Sequence, residues 1–178
     1  MSRISTRFRE STALLCLAYV QPINETWFVG AIQPFSSVHV PYTIPKRDEA
    51  LKNVQLAFSY LDEFGKDAAL AAFMDPKGPF LQQGIRIYAI ARDGMILADG
   101  KLPYNVGKNG FFFTDRYGGS MSRFAVMIGT TDNSGYMLSL HNADNGGIRV
   151  VLQYIRLADG RDWIIGTTVE LGTVATAA

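Results

Sequence analysis

The hydrophobic and polar positions of this 178-residue chain follow different periods in different stretches. From Pro45 the apolar residues Leu51, Val54, Phe58 and Leu61 recur at spacings of three and four, which aligns them on one stripe of a helix. Lys46, Arg47, Lys52 and Asp62 fall on the side toward water. Pro45 suits a first turn, where a missing N–H costs nothing, and Asp48 and Glu49 lie near the positive end of the helix dipole. Gly65 predicts a break or bend, and the following DAALAAFM predicts a shorter helix that ends at Asp75-Pro76.

Beyond Phe80 the period falls to two. Ile85, Ile87 and Ala89 alternate with Arg86, Tyr88 and Ile90, and Asp93-Gly94 supplies a tight turn into a second strand, since Gly adopts positive φ without steric cost. Three more strands are predicted at Tyr136 to Asn142, Ile148 to Leu157 and Asp162 to Leu171. Asp144-Asn145-Gly146-Gly147 and Asp159-Gly160 provide their turns. Between Asp99 and Gly135 the chain is irregular and glycine-rich, with a helical turn or two near Ser120 to Ile128. A long helix followed by hairpin-connected strands predicts an α+β fold, an antiparallel sheet of about five strands with the helix packed on it. Parallel strands would need helical crossovers between them.

The stretch Phe80 to Asp115, FLQQGIRIYAIARDGMILADGKLPYNVGKNGFFFTD, resembles the central hairpin and loop of Cache domains, ligand-sensing modules of chemoreceptors and sensor kinases. The resemblance is carried by the hairpin with its Asp-Gly turn, by ILADGKLPYNVGKN with Gly107, and by Asp115 and Gly118 in an Asp-x-x-Gly spacing. The later VVLQYIRLADGRDWIIGTTVEL, with Trp163, is similar to the family's closing strand pair. The resemblance implies a PAS-like sheet, a small-molecule ligand, a non-catalytic sensory role in chemotaxis or signal transduction, and an extracytoplasmic location. The Tyr, Arg, Trp, Tyr and Asp signature expected of amino-acid-binding members is missing, so the single-unit type that takes small carboxylic acids fits better. The signalling domain such a module would address is not in this chain.

A second pattern lies ahead of the helix. LLCLAYVQPINETWFVGAI, from Leu14, matches VVLQYIRLADGRDWIIGTT, from Val150, with one residue inserted in the turn. Tyr19 then meets Tyr154, Trp27 meets Trp163, and Gly30 meets Gly166; the two tryptophans stand 136 positions apart (163 minus 27). Two readings follow: residues 1–33 form an extra N-terminal hairpin that ends a preceding Cache-like unit, or they add two strands to the edge of this sheet. Residues 34–44 then serve as linker, 45–171 as the sensing domain and 172–178 as tail.

Composition narrows the chemistry. A net charge of +1 leaves no basic field for nucleic acid, and 48% hydrophobic against 19% charged residues describes a packed domain. No apolar run reaches the ~20 residues that span a bilayer. Arg3, Arg7 and Arg9 before STALLCLAYV imitate a secretion signal, but Glu10 interrupts the boundary and no small-residue cleavage site follows. Cys16 alone permits no internal disulfide and reads as a buried small hydrophobe. His39 and His141 share no metal-ligand spacing and adjoin no nucleophile motif, so neither a metal, a cofactor nor an enzyme activity is expected. Gly107-Lys108-Asn109-Gly110 lacks the Lys-Ser/Thr and following helix of a phosphate-binding loop.

What remains is an aromatic and cationic set around the irregular region. A small organic acid needs an apolar lining plus one or two fixed donors, and Arg offers a bidentate grip. Tyr88, Tyr104, Arg123, Tyr136 and Tyr154 are the expected ligand-binding residues, with Asp115, Gly107 and Trp163 as structural positions. Asp115 would bond backbone amides in its turn. The alternative is a structural module in which the sheet and helix serve dimerisation and the pocket is degenerate. The expected macromolecular partner is a second copy or a neighbouring Cache unit.

Overall fold

The computed structural model of the chain describes residues 16–22, 28–34, 43–114, 119–142, 148–158, 160 and 162–174. Strands β1 (Cys16–Pro22) and β2 (Phe28–Pro34) pair antiparallel as a separate two-stranded sheet. Helix α1 (Ile44–Met74) follows, and the remaining strands are β3 (Ile87–Ala91), β4 (Ile96–Asp99), β5 (Ser134–Asn142), β6 (Ile148–Leu157) and β7 (Trp163–Val174), with helix α2 (Met121–Asp132) before β5. These five strands form one antiparallel sheet in the order β4-β3-β7-β6-β5. The α+β architecture and strand number expected from the sequence are the ones found.

α1 begins at a Thr43 cap whose hydroxyl accepts the Lys46 N–H, and Pro45 sits in the first turn as expected. At Gly65 (φ 80°, ψ 173°) the backbone leaves the helical region, a conformation that Gly adopts without a Cβ penalty. The bend lets both halves of α1 follow the sheet. Ala50, Val54, Ala57, Leu61, Ala69 and Phe73 are buried. α2 is longer than the one or two turns read from the sequence. The hydroxyl of Ser120 accepts the Arg123 N–H at its start.

Register assigns every sheet residue to one of two faces, because neighbours across strands share a side. Ile87, Ala89, Ala98 and Ile165 pack under α1 in one cluster, and Val150, Leu152, Val169 and Leu171 join Ala50 in another. Tyr88, Ile90, Ile155 and Ile164 point the other way and meet Ala125 and Val126 of α2. The side chain of Ile164 lies so close to Gly129 that a Cβ there would stand 2.4 Å from it, so the helix rests directly on β7.

The segment after β4 is held at the sheet edge. Met95 forms a bridge with Asn109, the Ile96 N–H donates to the Lys108 carbonyl at 3.0 Å, and the Gly107 N–H donates to the Ile96 carbonyl at 2.9 Å. The side-chain amide of Asn109 donates to the Asp93 carbonyl, and its oxygen accepts the Phe111 N–H, both at 2.9 Å. Gly107 has φ +79°, which turns the chain back along β4. The Gly-Lys-Asn run thus covers a strand edge that would otherwise be open.

Candidate functional site

The loop-facing side of the sheet divides into an apolar part under α2 and a polar part beyond it. At the border stands Tyr88, buried on β3. Its ring lies over Gly166 of β7, where a Cβ would come within 2.2 Å of the ring carbon bearing the hydroxyl. Glycine at that position is what makes room for the tyrosine. The Tyr88 hydroxyl donates to Gln153 Oε1 at 2.6 Å, Gln153 Nε2 donates to Ser139 Oγ at 2.7 Å, and Ser139 Oγ is 2.9 Å from His141 Nε2. A chain of hydrogen bonds therefore runs from β3 over β7 to β6 and β5. Gln153 is fully buried, and among the described residues no buried side-chain nitrogen or oxygen lacks a partner.

Charged groups gather at the same end of this face. Asp99 stands opposite Tyr88 across β3 and β4, and its Oδ1 accepts the N–H groups of Lys101 and Leu102, each at 3.0 Å. Burial raises the Asp99 carboxyl above its ordinary range, against the opposing pull of those two amides and the Lys101 ammonium. Burial first, and then the Asp99 charge, push the Tyr88 hydroxyl far up. Partial burial lowers Lys101, and Arg86 and Arg149 lower it further, while Glu170 and Asp99 act the other way. Arg149 Nε lies 3.6 Å from Glu170 Oε1. Three cations and two carboxylates thus share one rim.

The structure does not bring the five ligand-binding residues expected from the sequence together. Tyr88 is in the polar chain. Tyr136 and Tyr154 are a cross-strand pair with rings 4.7 Å apart, and they lie on the opposite face with the α1 cluster. Tyr104 is 66% exposed, with the Lys108 ammonium 5.7 Å from its ring centre. Arg123 uses its Nε to donate to the Phe111 carbonyl at 3.2 Å and sets its guanidinium 5.2 Å from the Phe111 ring centre, tying α2 to the loop. Trp163 is buried on the α1 side beneath Lys66, whose ammonium is 5.1 Å from the ring centre. Asp115 lies outside the described residues.

Gln153, Ser139, Asp99 and Arg149 did not stand out in the sequence, and His141 entered there only as a residue without metal-ligand spacing or an adjoining nucleophile motif. Strand parity was the available signal: Gln153 must face away from its neighbour Tyr154, and Ser139 and His141 must share a side. Among the described residues no group of three His, Cys, Asp or Glu side chains converges as a metal site.

An antiparallel five-stranded sheet with a long helix on one face and loops with a short helix on the other defines the class of fold. The sequence matches no protein-family model, and no curated protein sequence matches it either. Solved structures do. A Cache chemosensory domain described for carboxylic acid recognition superposes with a TM-score of 0.60 at 15% identity, covering 79% of this chain and 100% of that one. A methyl-accepting chemotaxis protein from Vibrio parahaemolyticus RIMD 2210633 gives 0.58 at 14% identity, over 71% of this chain and 88% of that one. A periplasmic sensor domain of a chemotaxis protein gives 0.52 at 12% identity, over 70% and 90%. The chain has the Cache fold, as its loop and closing-hairpin motifs suggested.

Proposed function

We propose that the chain is a sensory domain that binds a small anionic metabolite, an organic acid, at the polar end of its loop-facing sheet surface. The observation that carries this reading is the hydrogen-bonded chain from buried Tyr88 and Gln153 through half-buried Ser139 to His141, adjoined by Lys101, Arg86 and Arg149. Fixed hydrogen-bonding groups would orient the ligand, and the cations would attract its carboxylate. Of the expected residues, Tyr88 is retained in this site. The carboxylic acid recognition named for the similar Cache domain supports the ligand class, and the periplasmic sensor domain supports an extracytoplasmic location. Among the described residues no helix is long and apolar enough to cross a membrane. The role is non-catalytic. Any signal would come from a difference in affinity between two states of the domain, read by a signalling domain.

The test is a thermal-shift screen of the full chain against small organic acids, amino acids and purines, repeated with the Arg86→Gln/Lys101→Gln double variant. A ligand at a hundredfold over its Kd stabilises the fold by about 2.7 kcal/mol, a shift of several degrees. The shift should be confined to organic acids and lost in the double variant. Arg123→Ala should lower the melting temperature but keep the shift. No response to any class, or a response that survives in the double variant, would sink the reading.

A second reading, a dimerisation module, is favoured by one feature of α1. Leu56 and Phe64 are 40% and 51% exposed two turns apart, with Tyr60 between them and its ring 4.5 Å from that of Phe64. A dimer abolished by Leu56→Glu/Phe64→Glu, together with no ligand response, would favour it.

A further inference from the structure

β1 and β2 pair with each other, and among the described residues neither pairs with the five-stranded sheet. A two-stranded ribbon is marginal by itself. Its neighbours are specified by its register. Under the sequence match between the two hairpins, first-strand residues map 135 positions on and second-strand residues 136 positions on. Cys16↔Pro34 then becomes Val151↔Glu170, Tyr19↔Ala31 becomes Tyr154↔Thr167, and Val20↔Gly30 becomes Ile155↔Gly166. All seven β1–β2 pairs map in this way onto observed β6–β7 pairs. This agreement is not imposed by the turns, which hold five residues between Pro22 and Phe28 and six between Leu157 and Ile164. Matched residues face each other in both hairpins although the turn lengths differ.

The period has structural content as well. From the residue after Pro34 to its counterpart Glu170, one repeat holds α1, α2 and the strands from β3 through most of β7. One repeat is one unit of this fold. Within that unit β6 and β7 are never at an edge: β5 flanks β6, and β3 flanks β7.

We propose that β1–β2 is the closing hairpin of a preceding Cache-like unit in the same polypeptide, with β1 taking a β5-like strand and β2 a β3-like strand on their outer edges. The glycine match sharpens this assignment. Gly166 is the position over which the β3 tyrosine lies, and Gly30 would give the same clearance to the side chain of the neighbouring unit's β3-like strand.

Hydrogen exchange tests the proposal on two chains. In the chain as it stands, β1–β2 amides should exchange at least about 100-fold faster than those of β6–β7, because the ribbon lacks its flanking strands. In an extended chain, a copy of residues 35–147 is placed ahead of residue 12, so that a second α1-to-β5 segment precedes the hairpin. Its β1–β2 amides should gain about 100-fold in protection. Gly30→Val should abolish that gain and change nothing in the original chain. Equal protection of both hairpins in the original chain overturns the proposal. If that protection is lost on dilution, the hairpin instead closes a second copy, which also overturns it. So does an unprotected β1–β2 in the extended chain, when a parallel extension carrying residues 148–174 after the added copy is protected.

Discussion

The two faces of the five-stranded sheet are built from alternate residues of the same strands, yet they have different tasks. Under α1, Ile87, Ala89, Ile165, Leu152 and Val169 form an apolar layer. On the other face, Ile90, Ile155 and Ile164 are equally apolar under α2, but Tyr88, Gln153, Ser139 and His141 continue the same strands as a polar chain. Helix placement accounts for the division. At 1.5 Å per residue, the 21 residues of α1 before the Gly65 break reach about 31 Å, the nine after it about 13 Å, and the 12 of α2 about 18 Å. Five strands at ~4.8 Å spacing make a sheet about 20 Å wide, and α2 reaches β3, β7, β6 and β5 across it, so the part that it leaves open lies farther along the strands. Of the three described groups whose titration departs clearly from the ordinary, Tyr88 stands at the border, packed with the α2 cluster, and Asp99 and Lys101 lie toward the polar end.

Truncation of the dry face should have the largest effect. Ile165 is fully buried between β3 and β6 beneath α1. Ile165→Ala should cost about 2–5 kcal/mol, the range for a large-to-small change that leaves a cavity, and urea unfolding would measure it. A loss below about 1 kcal/mol would mean that the α1 face is loosely packed, and the contrast between the faces would fail.

At the border between the two parts of the loop face, the expected effect is smaller and opposite in kind. Gly166→Ala places a methyl group against the Tyr88 ring and should cost about 1–3 kcal/mol by overpacking. Removing the ring should relieve it: in a Tyr88→Ala background the added cost of Gly166→Ala should largely vanish. A double-mutant cycle reads this coupling, and additive losses would show that the glycine serves some other purpose.

The sequence made the α1 stripe legible through Leu51, Val54 and Leu61, and it marked the break at Gly65 and the turn at Asp93-Gly94. Those features are local, decided by spacing and by which residue tolerates positive φ. The polar site is not local. Gln153 meets Tyr88 only because β7 separates their strands with a glycine between them, a relation fixed by strand order and register. Choosing aromatic residues for the site therefore selected Tyr136 and Tyr154, whose parity places them under α1. The contact that Arg123 makes was hidden for a related reason: its Nε donates to the Phe111 carbonyl, a backbone group with no signature in the sequence.

The smallest expected effect concerns Asp99 and has a sign that separates two accounts of the rim. Burial raises its carboxyl above the ordinary 3.8, so between that value and the raised one the folded protein holds more protons than the unfolded chain. Stability contributed at this position is therefore greatest at low pH and falls as pH climbs from about 4 through the folded-state value. Asp99→Asn keeps an oxygen for the Lys101 and Leu102 amides and removes the ionisation. Relative to the parent chain, the variant should gain stability as pH rises from about 4 to 7, which paired urea midpoints at each pH would follow. The opposite trend would mean that the Lys101 ammonium outweighs burial and holds Asp99 ionised. The rim would then be a neutralised ion-pair cluster with less cationic excess to offer a carboxylate, and the polar end of the loop face would be closer in character to the packed face than its hydrogen-bond chain implies.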